Sequence, residues 1–372
     1  MNDVWIDGSE QISFLGVGAS ALALANGDDA AARWECAFPW IGPSPEFEFD
    51  RITGLGESPA TRQMDGLAKY VVACSSMLLK SREADPGHEA DVGIVLGSAF
   101  GCTHSNHAFI EELVSNGPRR TSPTIFRNTV SNAAAGHMAT TFGIRGSNTV
   151  LNSGMVSGAQ ALAYASDLIR EGRCATILAG AVDCVSEPIR ARFLAQSGRI
   201  RQSRVPLIDG ACIFSLRASQ ATTSSWRVTG YSMAFISRDD WQSGMWRVID
   251  QAIRSSGDAV EEVDALQIHT DFGLLWIRTD PSERLEDVCQ DLARDVGPGP
   301  HVENTAVPST LGLADSLRLL AGEAASKIFL RRITERRTDS AKPRAFVFVA
   351  IGADGNAVAL VFKGIPNGRK DA

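Results

Sequence analysis

Between Asn148 and Ala161 the chain reads Asn-Thr-Val-Leu-Asn-Ser-Gly-Met-Val-Ser-Gly-Ala-Gln-Ala, and this stretch limits the fold more than any other. A short β-prone run turns through small residues into the periodic segment Ser157 to Arg170. Gly154, Ser157 and Gly158 keep bulk away from Met155, as a sharp strand-to-helix elbow requires. Such an elbow presents one side chain at a helix N-terminus, where the helix dipole and free N–H groups stabilise an anion or thiolate. A nucleophile belongs at that position. This chain has methionine, whose thioether has no proton to lose. The plainer reading of Met155 is a buried gap-filler in a βαβ unit.

On either side of the elbow, buried-strand patterns alternate with amphipathic helices. Met64 to Lys80 places Leu67, Tyr70, Val71, Cys74, Met77 and Leu78 at helical spacing. Asp91 to Leu96 and Ala175 to Ala181 are continuous apolar runs, the pattern of strands covered on both faces. Gly97-Ser98-Ala99-Phe100-Gly101 follows the first run, but without a GxGxxG or Walker pattern it reads as turn chemistry. Helices are predicted over His104–Ser115 and over Phe126–Phe142, the latter rich in small residues from Ala133 to Gly136. Those small residues indicate a tight helix contact within the fold or a subunit interface. After Asp209-Gly210 and a further strand, the plan repeats more loosely. It gives a strand from Trp226, helices over Gly244–Ser256, Ser282–Val296 and Pro308–Ile328, and a hairpin around Gly352 to Asn356. The expected class is α/β with mostly parallel sheets, in two similar halves, residues 1–220 and 221–372.

Composition narrows the function classes. A net charge of −7, with 43 acidic against 36 basic residues and no basic block, argues against nucleic acid as a partner. Seven scattered cysteines without a CxxC pair suggest neither a metal site nor a disulfide framework, but free thiols in a reducing cytosol. No apolar run approaches the ~20 residues of a membrane span, and the N-terminus lacks a signal-peptide pattern. A cytoplasmic protein with no membrane contact and no cofactor is expected.

Several motifs in order resemble the β-ketoacyl synthases of the thiolase-like fold. They are Met64 to Tyr70, Asn132 to His137 with Phe142 to Gly146, the elbow Val150 to Ala161, and Ala179-Gly180-Ala181. The resemblance implies a five-layered αβαβα fold of two duplicated halves, usually dimeric. It places the family's nucleophilic cysteine on Met155, its first histidine on His269, its second on Ser309 and its gating phenylalanine on Ile351. A working ketosynthase needs a thiolate, two imidazoles for the enolate, and backbone N–H groups for the tetrahedral oxyanion. Here the nucleophile and one histidine are missing. An intact scaffold with an incomplete centre resembles a chain-length factor of a type II polyketide synthase, the subunit that pairs with an active cysteine-bearing ketosynthase, meets acyl carrier protein through that complex, and shapes the acyl tunnel. Met155 is not the glutamine many aromatic-polyketide chain-length factors carry, so polyene or aryl-polyene systems are also implied. On this resemblance Phe109, Ile110, Leu113, Phe126 and Val130 are expected to line the tunnel, with Ala134 at the interface. The alternatives are an enzyme of altered chemistry using His269, such as malonyl-carrier decarboxylation or another acyl transfer, and a stand-alone binder of acyl carriers or lipids.

Overall fold

The computed structural model describes residues 4–13, 16–17, 49–81, 91–186, 188–189, 191, 209–220, 226–258, 263, 265–270, 273–278, 286–287, 345–352 and 354–364. The strands are β1 (Val4–Ser13), β2 (Gly16–Val17), β3 (Val92–Gly97), β4 (Asn148–Leu151), β5 (Thr176–Asp183), β6 (Gly210–Arg217), β7 (Trp226–Phe235), β8 (Ala265–Thr270), β9 (Gly273–Arg278), β10 (Ala345–Ile351) and β11 (Asn356–Gly364). The α-helices are α1 (Phe49–Thr53), α2 (Gly66–Ser81), α3 (Thr103–Asn116), α4 (Pro123–Arg127), α5 (Ala133–Phe142), α6 (Ser157–Arg170) and α7 (Trp241–Ser256). The predicted helix 308–328, all of 282–296 but Glu286 and Asp287, and most of the predicted 34–50 loop lie outside the described residues.

The sheet runs β4-β3-β5-β6-β1-β7-β11-β10-β8-β9. From the centre outward the first half reads β1, β6, β5, β3, β4 and the second reads β7, β11, β10, β8, β9. In chain order each half therefore places its first, fifth, fourth, second and third main strands side by side. This repeated order is the duplication of the thiolase-like fold. Among the described strands the halves pair where Val4, Trp5 and Ile6 face Val228, Arg227 and Trp226, and Arg170 adds hydrogen bonds to the Val228 and Thr229 carbonyls.

The expectation of mostly parallel strands is corrected: only β3–β4, β3–β5 and β8–β10 run parallel among the described pairs. A continuous apolar run marks a strand covered on both faces but leaves its direction open. Here helical layers cover both faces whatever the strand direction. β10 shows this: Phe346, Phe348 and Ala350 belong to one core, and the alternate Val347, Val349 and Ile351 to another.

Three apolar cores separate the layers. α2 and α5 cover the outer face of the first half, where Val71, Leu78 and Met138 meet Ile94, Leu178 and Ile213. α6 lies in the middle and touches strands of both halves. Beside it Phe346 stacks on Phe362 at 4.9 Å and meets Trp226 edge-on at 5.3 Å. α7 covers the outer face of the second half, with Met245, Val248 and Ile249 against β10 and β11. No helix among the described residues is long and apolar enough to cross a membrane.

Local chemistry sets the helix ends. Asp65 caps α2, its Oδ1 accepting from the Ala68 N–H at 2.9 Å. Ser122 and Pro123 open α4. The single helix expected over Phe126–Phe142 is two helices, α4 and α5. Asn128 causes the break: its Nδ2 donates to the Gln63 carbonyl at 2.9 Å and its Oδ1 lies 3.0 Å from His137 Nε2. Holding those contacts, the backbone passes from Asn128 to Asn132 in i to i+3 turns.

Candidate functional site

The elbow forms as its residues require. β4 ends at Leu151, Gly154 takes φ +65°, and α6 starts at Ser157. Ser157 fixes the turn, its Oγ donating to the Gly154 carbonyl at 2.6 Å and accepting from the Ser153 N–H at 2.8 Å. Close approach explains Gly97 at the end of β3: a Cβ there would stand 2.2 Å from the Ser157 carbonyl oxygen. Met155 is 4% exposed, next to the start of α6.

The glycine-rich loop after β3 is an inward-tied support. Asp183, buried at the end of β5, accepts from Ser98 Oγ at 2.7 Å, the Ala99 N–H at 2.9 Å and the Phe100 N–H at 3.1 Å. Those N–H groups are therefore committed to a carboxylate of the protein itself. The Ser98 carbonyl in turn accepts from Asn152 Nδ2 and Ser157 Oγ, each at 3.1 Å. Loop, strand end and elbow form one hydrogen-bonded unit. The sequence placed Asp183 at a strand end but gave no sign of this role, because its partners are mostly backbone amides about 85 residues earlier.

The second half reaches the same place. The turn between β10 and β11 closes with the Gly352 N–H on the Asn356 carbonyl at 2.8 Å. It brings Asp354 to the elbow, with Oδ2 3.6 Å from where a Cβ on Gly154 would stand. His269 lies on β8 in register with Ala350, one residue before Ile351 on the neighbouring strand. Met155, the hairpin turn and the end of β8 are thereby linked through adjacent elements. Ser309 lies outside the described residues. Ile351, expected at the gating position, ends β10. It is 1% exposed and packs in the outer core with Ile236, Met245 and Val349, so its side chain is fixed away from the elbow.

The five expected tunnel residues split by exposure. Ile110, Phe126 and Val130 are 57%, 60% and 52% exposed, while Phe109 and Leu113 are half-buried. The Phe109 and Phe126 rings lie 5.4 Å apart and tie α3 to α4. With exposed Val114, these residues form an exposed apolar surface among the described residues. Ala134 behaves differently. It is 2% exposed in the core between α2 and α5, so the tight contact its size permits is made within the chain.

Two titratable groups away from the elbow are shifted, His137 beside Asn128 and Tyr231 beside Asp167 near the far end of α6. Burial lowers the His137 pKa, with Asp65 opposing that shift and Arg127 adding to it. Burial first, then a hydrogen bond to Asp167, pushes Tyr231 up to about 12. Among the described residues no group of three His, Cys, Asp or Glu could hold a metal ion. Chemically, the elbow has a helix N-terminus and a closed cradle but no acylatable atom at residue 155.

Residues 27–207 match the family described as "Beta-ketoacyl synthase, N-terminal domain". A 144-residue stretch is 28% identical to 3-oxoacyl-[acyl-carrier-protein] synthase 2 of Vibrio harveyi, covering 38% of this chain and 34% of that protein. The chain thus spans about a third of that relative's length. By structure, the chain is similar to the ishigamide ketosynthase/chain length factor, with TM-score 0.69, 20% identity, and 98% and 100% of the two chains covered. It is similar also to a structure of a type II polyketide synthase acyl-carrier protein in complex with its hexaketide-bound ketosynthase, with TM-score 0.70, 15% identity, and 98% and 99% covered. Residues 27–207, with an elbow built on Gly97, Gly154 and Ser157, are therefore similar to a β-ketoacyl synthase N-terminal domain, and the chain has a thiolase-like fold of two repeated halves.

Proposed function

We propose that this chain is a non-catalytic, ketosynthase-like subunit of a type II polyketide or polyene synthase. It pairs with an active, cysteine-bearing ketosynthase in the cytoplasm, meets acyl carrier protein through that complex, and sets chain length. The observation that carries this reading is Met155, buried at an otherwise complete elbow. A thioether cannot be acylated by a thioester and returned, so no acyl-enzyme forms there.

The exposed apolar surface on α3, α4 and Val130 supports pairing. Fully burying a side chain such as Ile or Phe stabilises by about 1.5–3 kcal/mol. β4 adds a second argument. Among the described strands it is the outermost of the first half and pairs with β3 alone, which leaves an edge for a partner to cover. A partner covering both would place α3 and α4 against its acyl tunnel. The length limit follows: a growing chain gains roughly 0.8 kcal/mol per buried methylene until a side chain blocks its path.

Co-expression with a cysteine-bearing type II ketosynthase tests the reading. The two chains are expected to co-purify, with acyl adducts by intact mass on the partner alone. An adduct on residues 148–161 of this chain would refute it. Carbon dioxide release from malonyl-carrier protein by the pure chain would favour the altered-chemistry alternative through His269.

A further inference from the structure

A ketosynthase elbow works by offering positive potential to an anion, first the thiolate and then the tetrahedral oxygen. In this chain the turn from the second half brings a carboxylate to that place. Asp354 Oδ2 lies 3.6 Å from the Cβ position of Gly154, and the Met155 Cα is one peptide, ~3.8 Å, beyond the Gly154 Cα. The carboxylate is solvent-exposed and hydrogen-bonded within its own turn. Its Oδ1 accepts from the Asn356 N–H at 3.0 Å and its Oδ2 from Asn356 Nδ2 at 2.7 Å. The turn itself is closed by the Gly355 N–H on the Gly352 carbonyl and anchored by the Ile236 N–H on the Gly355 carbonyl at 2.8 Å.

We propose that Asp354 is a built-in anion that occupies the electropositive mouth of the elbow and closes it to thiolates and thioester oxyanions, a block additional to the loss of the nucleophile at Met155. Two effects act together. The carboxylate compensates the N-terminal end of the α6 dipole, which steadies the helix. It also opposes any second negative charge placed beside it, since like charges at this range disfavour each other's ionised form. The inference rests on the non-catalytic reading, to which it adds a cause that cysteine replacement alone does not remove.

The test compares full-length Met155→Cys with Met155→Cys/Asp354→Asn, titrating the new thiol by thiolate absorbance against the parent chain. Burial of residue 155 is common to both, so the difference isolates the charge. The double variant is expected to titrate about half a unit or more lower. The gap should narrow in 1 M salt, where screening reaches ~3 Å. Glu171→Gln, beyond the far end of α6, should leave the midpoint unmoved. Equal midpoints, a higher midpoint in the double variant, or thiols protonated to pH 10 in both would overturn the proposal. The titration needs no partner, so its failure leaves pairing intact, and failure to co-purify leaves the titration unaffected.

Discussion

Met155→Cys returns a thiol to the elbow but is expected to return little condensation. The enolate would still lack its second imidazole if Ser309 stands in that position, and losing one oxyanion donor alone costs about a hundred- to thousand-fold. Condensation assays of the single variant with acyl and malonyl carrier proteins check this, and turnover near that of an active ketosynthase would contradict it. Tyr231 gives a pH prediction. Its folded pKa, about 12, lies above the ordinary 10, so the protonated phenol is favoured in the native state. That contribution is fully present below pH 10 and lost as pH rises from 10 toward 12. Tyr231→Phe should therefore flatten the decline in melting temperature over that window, and an unchanged slope would show that other groups control alkaline unfolding.

At the scale of elements, α3 and α4 are the length-setting candidates. Phe126→Ala in the co-expressed complex is expected to lengthen the product. In the single chain, exposure of 60% makes it a surface change, within about 0.5 kcal/mol and a degree or two of that chain's melting temperature. Product masses and melting curves measured together check both halves of that statement. The single-residue pattern made α2, α6 and β10 legible, because their apolar residues repeat with the period of the element. It could not show the break at Asn128, which depends on a carbonyl at Gln63 and a ring at His137. Strand direction was equally hidden, since two-sided burial looks alike in parallel and antiparallel strands. The site divides in the same way. Met155 and its glycines were legible as a local motif, whereas Asp183 and Asp354 act across the fold, through partners distant in the chain.

For the whole molecule, an obligate pairing would bury more than ~2,000 Å², mostly apolar. Ile110→Asp and Phe126→Asp are the informative variants, because both positions are exposed in the single chain. Each should abolish co-purification with the ketosynthase while leaving the circular dichroism near normal. Tight pairing by both would place the interface elsewhere. Ala134 is unsuited to that question, since a charge there would enter the core beside Met138.

Gly97 carries one more consequence. A side chain at that position would collide with the Ser157 carbonyl whether or not the elbow ever held a nucleophile. Selection on packing alone would preserve it, along with the turn glycine at 154, after selection on chemistry had lapsed. The glycines of such an elbow can thus outlast a reaction, because a steric clash rather than a chemical step holds them in place.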